Sequence, residues 1–248
     1  MKRVWVWGHV LTGVSLLSGV VVAGAIASAC VHDDSTIFVS QVLAPPLVTA
    51  GMACTFTADP TQPSLSSGVL DADLSSTYSP EFLVGNQIVP RGNPNQPDTE
   101  TSIVTIQGAV VRILDSSGKQ LNTFTRTAGI TIPPSSGTTA GYAALQVTIL
   151  DQDTVATLDL ATGGGTIRVV SYVRFFGKTL GGDSVESDEF GFPIDVCRSC
   201  LISFPASEDE ARFPTPNCAL GGSSSSTSTS VPCIVGQDFP IDCSLCQE

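Results

Sequence analysis

The chain has 248 residues, with 23 Asp and Glu against 11 Lys and Arg, a formal net charge of −12 at neutral pH. Phosphate backbones and anionic headgroups repel so acidic a chain, which excludes nucleic acid as a partner. The two histidines, His9 and His32, both lie near the N-terminus. A Ser-His-Asp or Cys-His nucleophile therefore has no base within the rest of the chain, and His-rich metal sites are excluded on the same ground.

The N-terminus has the order of a secretory signal. Lys2 and Arg3 are followed by an apolar run without a formal charge, which closes in the small residues Ala27, Ser28 and Ala29. A basic tip, an apolar stretch and a small-residue cleavage site predict a signal peptide over 1–29. The alternative is an uncleaved transmembrane anchor, since an apolar run of this length can span a bilayer.

The residue that follows this run is Cys30. A cysteine at the first mature position resembles a bacterial lipobox, although Ala27 stands where Leu is usual. The resemblance implies lipidation of Cys30, with a diacylglyceryl thioether and an acylated amine holding the protein on a membrane. Residues 30–36 would then be a lipidated tether, and Val31 after the cysteine implies the outer membrane.

The region after the tether is rich in Thr, Ser, Val, Ile, Gly and Pro, a balance that favours strands and turns. In chain order, the first predicted strands are 36–43, 82–89, 102–114, 119–127 and 142–150. The third and fourth of these are joined as a hairpin by Asp115-Ser-Ser-Gly118. Gly108 is expected to mark a bulge. A short helix is predicted over 153–160, with Asp153 as its cap.

The clearest strand signal is period-two alternation on two neighbouring segments. Apolar residues occupy alternate positions from Ile167 to Phe175, with Arg168, Arg174 and Lys178 between or beyond them. After a Gly-Gly turn, Phe190 to Val196 alternate in the same way. About eight short strands predict an all-β fold, an antiparallel β-sandwich resembling immunoglobulin or fibronectin type III modules, over 37–196.

The remaining residues, 197–248, have a different character and are predicted to form a disulfide-rich, mostly irregular tail. They include a Gly-, Ser- and Thr-rich tract at 221–230, which is typical of a flexible linker. A short repeat flanks that linker: Phe-Pro-Ile-Asp from Phe192 leads to one CxxC motif, and Phe-Pro-Ile-Asp from Phe239 leads to another.

Seven cysteines follow Cys30 and are candidates for disulfides, because an exported protein folds in an oxidising compartment. They are Cys54, Cys197, Cys200, Cys218, Cys233, Cys243 and Cys246. An odd count leaves one unpaired. Cys54 is a candidate for that role, or it ties the first strands to the last. The alternative is that the two CxxC motifs, Cys197, Cys200, Cys243 and Cys246, bind a metal or act in redox chemistry.

An acidic cluster is the remaining candidate for chemistry. Asp183, Glu186, Asp188 and Glu189 could supply an acid–base pair or bind Ca²⁺. Cross-strand ion pairs with the basic residues of the preceding strand explain the cluster more simply. We therefore assign no catalytic residue, no resident metal and no cofactor.

Taken as a whole, the chain resembles uncharacterised bacterial outer-membrane lipoproteins with a β-sandwich and a cysteine-rich C-terminus. The resemblance implies two partners: a membrane, to which the lipid anchor attaches the protein, and an envelope or surface protein. It implies no activity that could be transferred to this chain. The expected function is that of a non-enzymatic envelope lipoprotein acting as a structural or protein-binding module. The alternative is a thiol- or metal-handling protein that uses the duplicated CxxC motifs.

Overall fold

The described part of the chain consists mainly of strands. The structure is a computed structural model that describes residues 36–49, 53–92, 100–160, 165–203 and 230–242. A short helix, α1, covers Gln152–Thr157. The strands are β1 Ile37–Leu43, β2 Leu47–Thr49, β3 Ser64–Leu65, β4 Gly68–Asp71, β5 Glu81–Asn86, β6 Val104–Asp115, β7 Gln120–Ile132, β8 Gly141–Gln146, β9 Ile167–Thr179, β10 Ser184–Glu186, β11 Phe190–Cys197, β12 Ile202–Ser203, β13 Ser230–Pro232 and β14 Ile241–Asp242.

The smaller of two main sheets has four strands in the order β3-β1-β5-β8, and all its pairs are antiparallel. The first strand, β1, runs against β5 with Ile37 opposite Asn86 and Leu43 opposite Glu81. The start of β1 therefore lies beside the end of β5, which fixes the end of the sheet at which the chain enters.

The larger sheet has the order β4-β11-β9-β6-β7, with β10 added to the end of β9. Long antiparallel pairs join β6 to both β7 and β9, and their register shifts at Gly108. The sheet is mixed, because β4 and β11 run parallel with Gly68 opposite Ile194.

The two sheets bury their inner faces against each other. Phe82 on β5 is fully buried and meets Phe175 of β9 edge-on, with ring centroids 5.4 Å apart, and Phe190 of β11 at 6.2 Å. Such edge-to-face pairs add to the stabilisation that burial of the rings provides. Other core residues from the two sheets are Ile37, Val84, Ala143, Val104, Ala109, Val111, Ile113, Val169, Val173, Ile194 and Val196.

The all-β prediction is confirmed, as are the alternation on β9 and β11 and the bulge at Gly108. The immunoglobulin-like form is not confirmed: that fold places strands ABED and CFG in its two sheets, whereas this chain has a different strand order and the parallel pair β4–β11. The second strand of the predicted hairpin is longer than expected, since β7 continues to Ile132.

The helix is confirmed, but its predicted cap was wrong. Asp151 caps α1, because its side-chain oxygen accepts a hydrogen bond from the backbone N–H of Thr154 at 3.3 Å. Asp153 lies in the first turn instead. Both aspartates suit a helix start, one as the cap and the other near the positive end of the helix dipole.

The tail contributes three short strands, of which one pairs with the body of the domain and two pair with each other. Residues 230–232 form β13, which runs antiparallel to β2, and β14 runs parallel to β12. Most of the linker predicted at 221–230 lies outside the described residues.

Replacement of Phe82 tests the core. Phe82→Ala removes a fully buried ring, and we expect the free energy of unfolding to fall by about 3–5 kcal/mol. Phe176→Ala is the control, because this ring is half-buried on the outer face of β9 and its loss is expected to cost about 1 kcal/mol. Urea denaturation measures both, and equal losses would contradict the proposed packing.

Candidate functional site

The C-terminal clasp, which we define as residues 230–242, lies against one end of the two sheets. It is joined to the N-terminal part of the domain by the pairing of β13 with β2 and by a disulfide between Cys54 and Cys233, whose Cα atoms are 5.6 Å apart. This pair confirms the interpretation that Cys54 ties the first strands to the last. A cross-link over so long a loop restricts the unfolded chain and stabilises the folded one.

Side chains in the middle of the clasp are hydrogen-bonded into the domain. Gln237 is buried, and its amide accepts from the backbone N–H of Ser79 (3.1 Å) and donates to the carbonyl of Thr77 (3.0 Å). The next residue, Asp238, accepts from the backbone N–H of Val69 at 3.0 Å. The clasp thus satisfies polar groups of the edge strand β4 and of the segment that precedes β5.

A further contact joins Asp238 to Tyr78. The Tyr78 hydroxyl is fully buried and donates to the two carboxylate oxygens of Asp238 at 2.8 and 3.0 Å. The Tyr78 ring stacks on Phe192 and covers Gly68 so closely that a side chain at residue 68 would collide with it. Burial raises the pKa of Asp238, and burial together with the nearby carboxylate raises the pKa of Tyr78.

Beside the clasp lies an apolar groove with a volume of about 330 Å³. It is formed by the end of β1, the segment that follows it, the loop around Phe56 and the clasp residue Phe239. Its lining residues are Leu43, Ala44, Pro45, Pro46, Thr55, Phe56, Thr57, Gln62, Pro63 and Phe239, all of them uncharged. Grooves lined by aromatic rings are a recurring binding site for extended, uncharged peptide segments such as proline-rich ones.

The first CxxC motif forms a closed loop next to the clasp. Cys197 is buried, Cys200 is exposed, and the two are joined in a disulfide. The buried carboxylate of Asp71 accepts from the backbone N–H groups of Ser199 and Leu201, both at 2.9 Å. These two hydrogen bonds hold the backbone of the CxxC loop against the end of β4.

Other predicted cysteine sites lie outside the described residues: Cys30, Cys218, Cys243 and Cys246. The four-cysteine metal alternative therefore has two members, Cys197 and Cys200, within the structure, and these form the disulfide. Among the described residues, no three His, Cys, Asp or Glu side chains are grouped closely enough to hold a metal ion.

Two residues of the acidic cluster form ion pairs, and one of these pairs is with the preceding strand, as the simpler interpretation predicted. Glu186 pairs with Arg174 of β9 at 2.9 Å, and Glu189 pairs with Arg112 of β6 at 2.7 Å. Arg112 also lies over the Tyr172 ring, 4.6 Å from its centroid. The sequence did not point to Arg112, because only the strand order brings β6 within reach of this cluster.

Within the described ranges, no helix is long and apolar enough to cross a membrane. The sequence matches no known family model, and no curated protein matches it significantly.

Sequence reasoning missed both the groove and the contact between Tyr78 and Asp238. A partial signal was present in the repeat of Phe-Pro-Ile-Asp. Its first copy lies in β11, which pairs in parallel with β4, and the Ile and Asp of its second copy form β14, which pairs in parallel with β12. The repeat therefore marks two segments that add parallel pairs.

The stability of the clasp is expected to depend on pH through the ionisation of Asp238. Because the pKa of Asp238 is raised above the value of about 3.9 for an exposed aspartate, its contribution to stability is fully present below that value and is lost as pH rises through the folded-state pKa. Asn retains the acceptor oxygen and tolerates the left-handed backbone of residue 238, whose φ is 63°.

We therefore expect Asp238→Asn to raise the protection of the clasp amides of residues 238 and 241 against hydrogen exchange at pH 7, relative to the wild type. The same change should remove the difference in protection between pH 4 and pH 7. Asp238→Ala is the contrasting variant, since it leaves the Tyr78 hydroxyl without this acceptor and costs about 1–3 kcal/mol. Lower protection in Asp238→Asn than in the wild type at pH 7 would contradict this account.

Proposed function

We propose that this protein is a non-enzymatic envelope lipoprotein, anchored by lipid at Cys30, whose β domain binds another envelope protein. The observation that carries the binding part is the uncharged apolar groove between the end of β1 and Phe239. The anchoring part is supported by the order of residues before Cys30 in the sequence.

The position of the groove suits an anchored protein. The chain enters the domain at the start of β1, which residues 31–36 separate from Cys30, and the groove is lined by Leu43, the last residue of β1. A strand of seven residues spans about 23 Å at 3.3 Å per residue. The groove therefore opens at the end of β1 that is farther from the tether.

The occupant that we propose is an extended, uncharged segment of the partner protein. The domain is acidic, yet its groove has no charged lining residue. Affinity would come from apolar contact with Phe56, Phe239 and the prolines, because buried aromatic anchors dominate most protein interfaces.

A non-enzymatic role is supported by the structural ion pairs and hydrogen bonds that several carboxylates of the domain form. Glu186, Glu189 and Asp195 bind arginines, and Asp71 holds the CxxC loop through backbone N–H groups. Two of the four residues to which the sequence pointed as an acid–base pair or a cation site, Glu186 and Glu189, are thus engaged in ion pairs.

A thiol-handling protein is the second candidate. It is favoured by one observation, the exposure of Cys200 in its disulfide with Cys197, since an accessible disulfide can exchange with a partner thiol. Against it stands the ion pair of Arg198 with Asp73 at 2.7 Å, because it engages the one cation inside the CxxC loop that could favour a reactive thiolate.

The anchor is tested by the intact mass of protein extracted from bacterial membranes. We expect the mass of residues 30–248 plus the acyl groups, and loss of that modification in Cys30→Ala. Ser28→Ala is the matched control, since it keeps a small residue before the cysteine. A mass that retains residues 1–29 would instead identify an uncleaved membrane anchor.

Alkylation before and after reduction, measured on the same sample, distinguishes the second candidate. Cys197 and Cys200 are expected to react only after reduction and no bound metal should accompany the protein. Free thiols at these positions, or a bound metal ion, would favour thiol or metal handling over the binding module.

The groove is tested by photocrosslinking from residue 56, followed by affinity measurements with the purified crosslinked partner. Phe56→Ala and Phe239→Ala are each expected to weaken binding about tenfold or more, which corresponds to about 1.4 kcal/mol. Phe176→Ala, on the outer face of the larger sheet, should bind like the wild type. Wild-type affinity in both groove variants, or crosslinking only to a lipid, would overturn the proposed site.

A further inference from the structure

We propose that the end of the domain nearest the tether contacts the membrane surface directly, through Val89 and Leu180. This inference rests on the proposed lipid anchor at Cys30. In the described part of the chain the exposed large hydrophobic residues are Leu47, Val89 and Leu180, exposed by 57%, 53% and 62%. Two of these three lie at the end where the chain enters the domain.

Hydrogen bonds establish that Val89 and Leu180 share this end. The backbone N–H of Gln87 donates to the carbonyl of Thr36 at 2.9 Å, which places Val89 two residues from the entry point. The neighbouring Asn86 donates its side-chain amide to the carbonyl of Ser102 at 2.9 Å. Leu180 then donates its N–H to the carbonyl of Ile103 at 2.7 Å. We call the surface formed by Thr36, Val89, Leu180 and residues 135–140 the tether-proximal end.

The length of the tether keeps this surface close to the bilayer. Six residues, 31–36, separate Cys30 from Ile37, and a fully extended chain of that length spans at most about 20 Å. A lipid at Cys30 would convert contact between domain and bilayer into an intramolecular event. Even a weak apolar contact is then well populated, because its effective concentration is high.

The chemistry of the tether-proximal end suits the interface between headgroups and acyl chains. Val89 borders a depression of about 240 Å³ that is also lined by Phe38 and by the hydroxyls of Ser135, Thr138 and Thr139. Apolar side chains beside hydroxyl groups match that interface, where apolar and hydrogen-bonding groups meet.

Two carboxylates lie near this contact: Glu100 is bound within the domain, and Asp183 is exposed. The carboxylate of Glu100 accepts hydrogen bonds from the backbone N–H groups of Arg91, Gly92 and Ser102, so it is bound within the domain. Asp183 lies on the turn that carries Leu180. Because the chain as a whole is acidic, an anionic membrane surface would repel it. We therefore propose a zwitterionic surface as the partner.

A single introduced tryptophan tests the contact. Both native tryptophans, Trp5 and Trp7, precede Cys30 and leave with the signal peptide under the proposed function. Leu180→Trp therefore gives one indole in the processed chain. Leu47→Trp is the matched control, because Leu47 is similarly exposed but lies beyond the far end of β1. Each protein is extracted with its native lipid and reconstituted into phosphatidylcholine vesicles, with or without brominated acyl chains.

We expect brominated lipid to quench the indole of the Leu180→Trp variant about twofold or more relative to that of the Leu47→Trp variant, with a blue-shifted emission, because bromine quenches only indoles that reach the acyl region. Adding Val89→Asp to Leu180→Trp should reduce that quenching. Equal quenching in the two variants, in protein whose mass shows a lipidated Cys30, would overturn the membrane contact alone. A mass that shows an unmodified Cys30 would overturn both the anchor and the contact that depends on it.

Discussion

The burial of Phe82 between the two sheets is the interaction on which the rest of the domain depends. Its ring lies against Phe175 and Phe190 of the larger sheet and joins two layers that share no strand. Because the interiors of proteins are close-packed, this contact fixes the distance and relative position of the layers. The groove and the clasp are built at the end of that layered core, so their geometry follows from it.

The alternation of apolar and polar residues was sufficient to predict a strand where that strand has one buried face and one exposed face. On β9, Val169, Val173 and Phe175 are buried while Arg168 and Arg174 are exposed, as the alternation indicated. Successive side chains of a strand point to opposite faces of the sheet. Burial of one face therefore requires apolar residues at alternate positions of the sequence. The same reasoning located β11 and the bulge at Gly108, since a glycine inside a strand commonly marks such an irregularity.

The candidate site could not be predicted in the same way, because its parts are distant in sequence. Tyr78 and Asp238 meet across 160 positions, and neither has a pattern that names the other. Cys54 had several possible partners, and disulfide connectivity does not follow from cysteine spacing alone. The strand β4 is also short, with four residues, and its place beside β11 is set by tertiary packing rather than by its own composition.

The parallel pairing of β4 with β11 has a consequence for the order of folding. Synthesis proceeds from the N-terminus, so β4 is made long before its partner β11. Likewise, Cys54 and Cys233 are separated by 179 positions in the sequence. Pairings this distant close late because the entropy of forming the loop must be overcome first. The pairing of β4 with β11 and the Cys54–Cys233 bridge are therefore among the last contacts to form, so the closing of the domain by its C-terminal residues is a late event in folding.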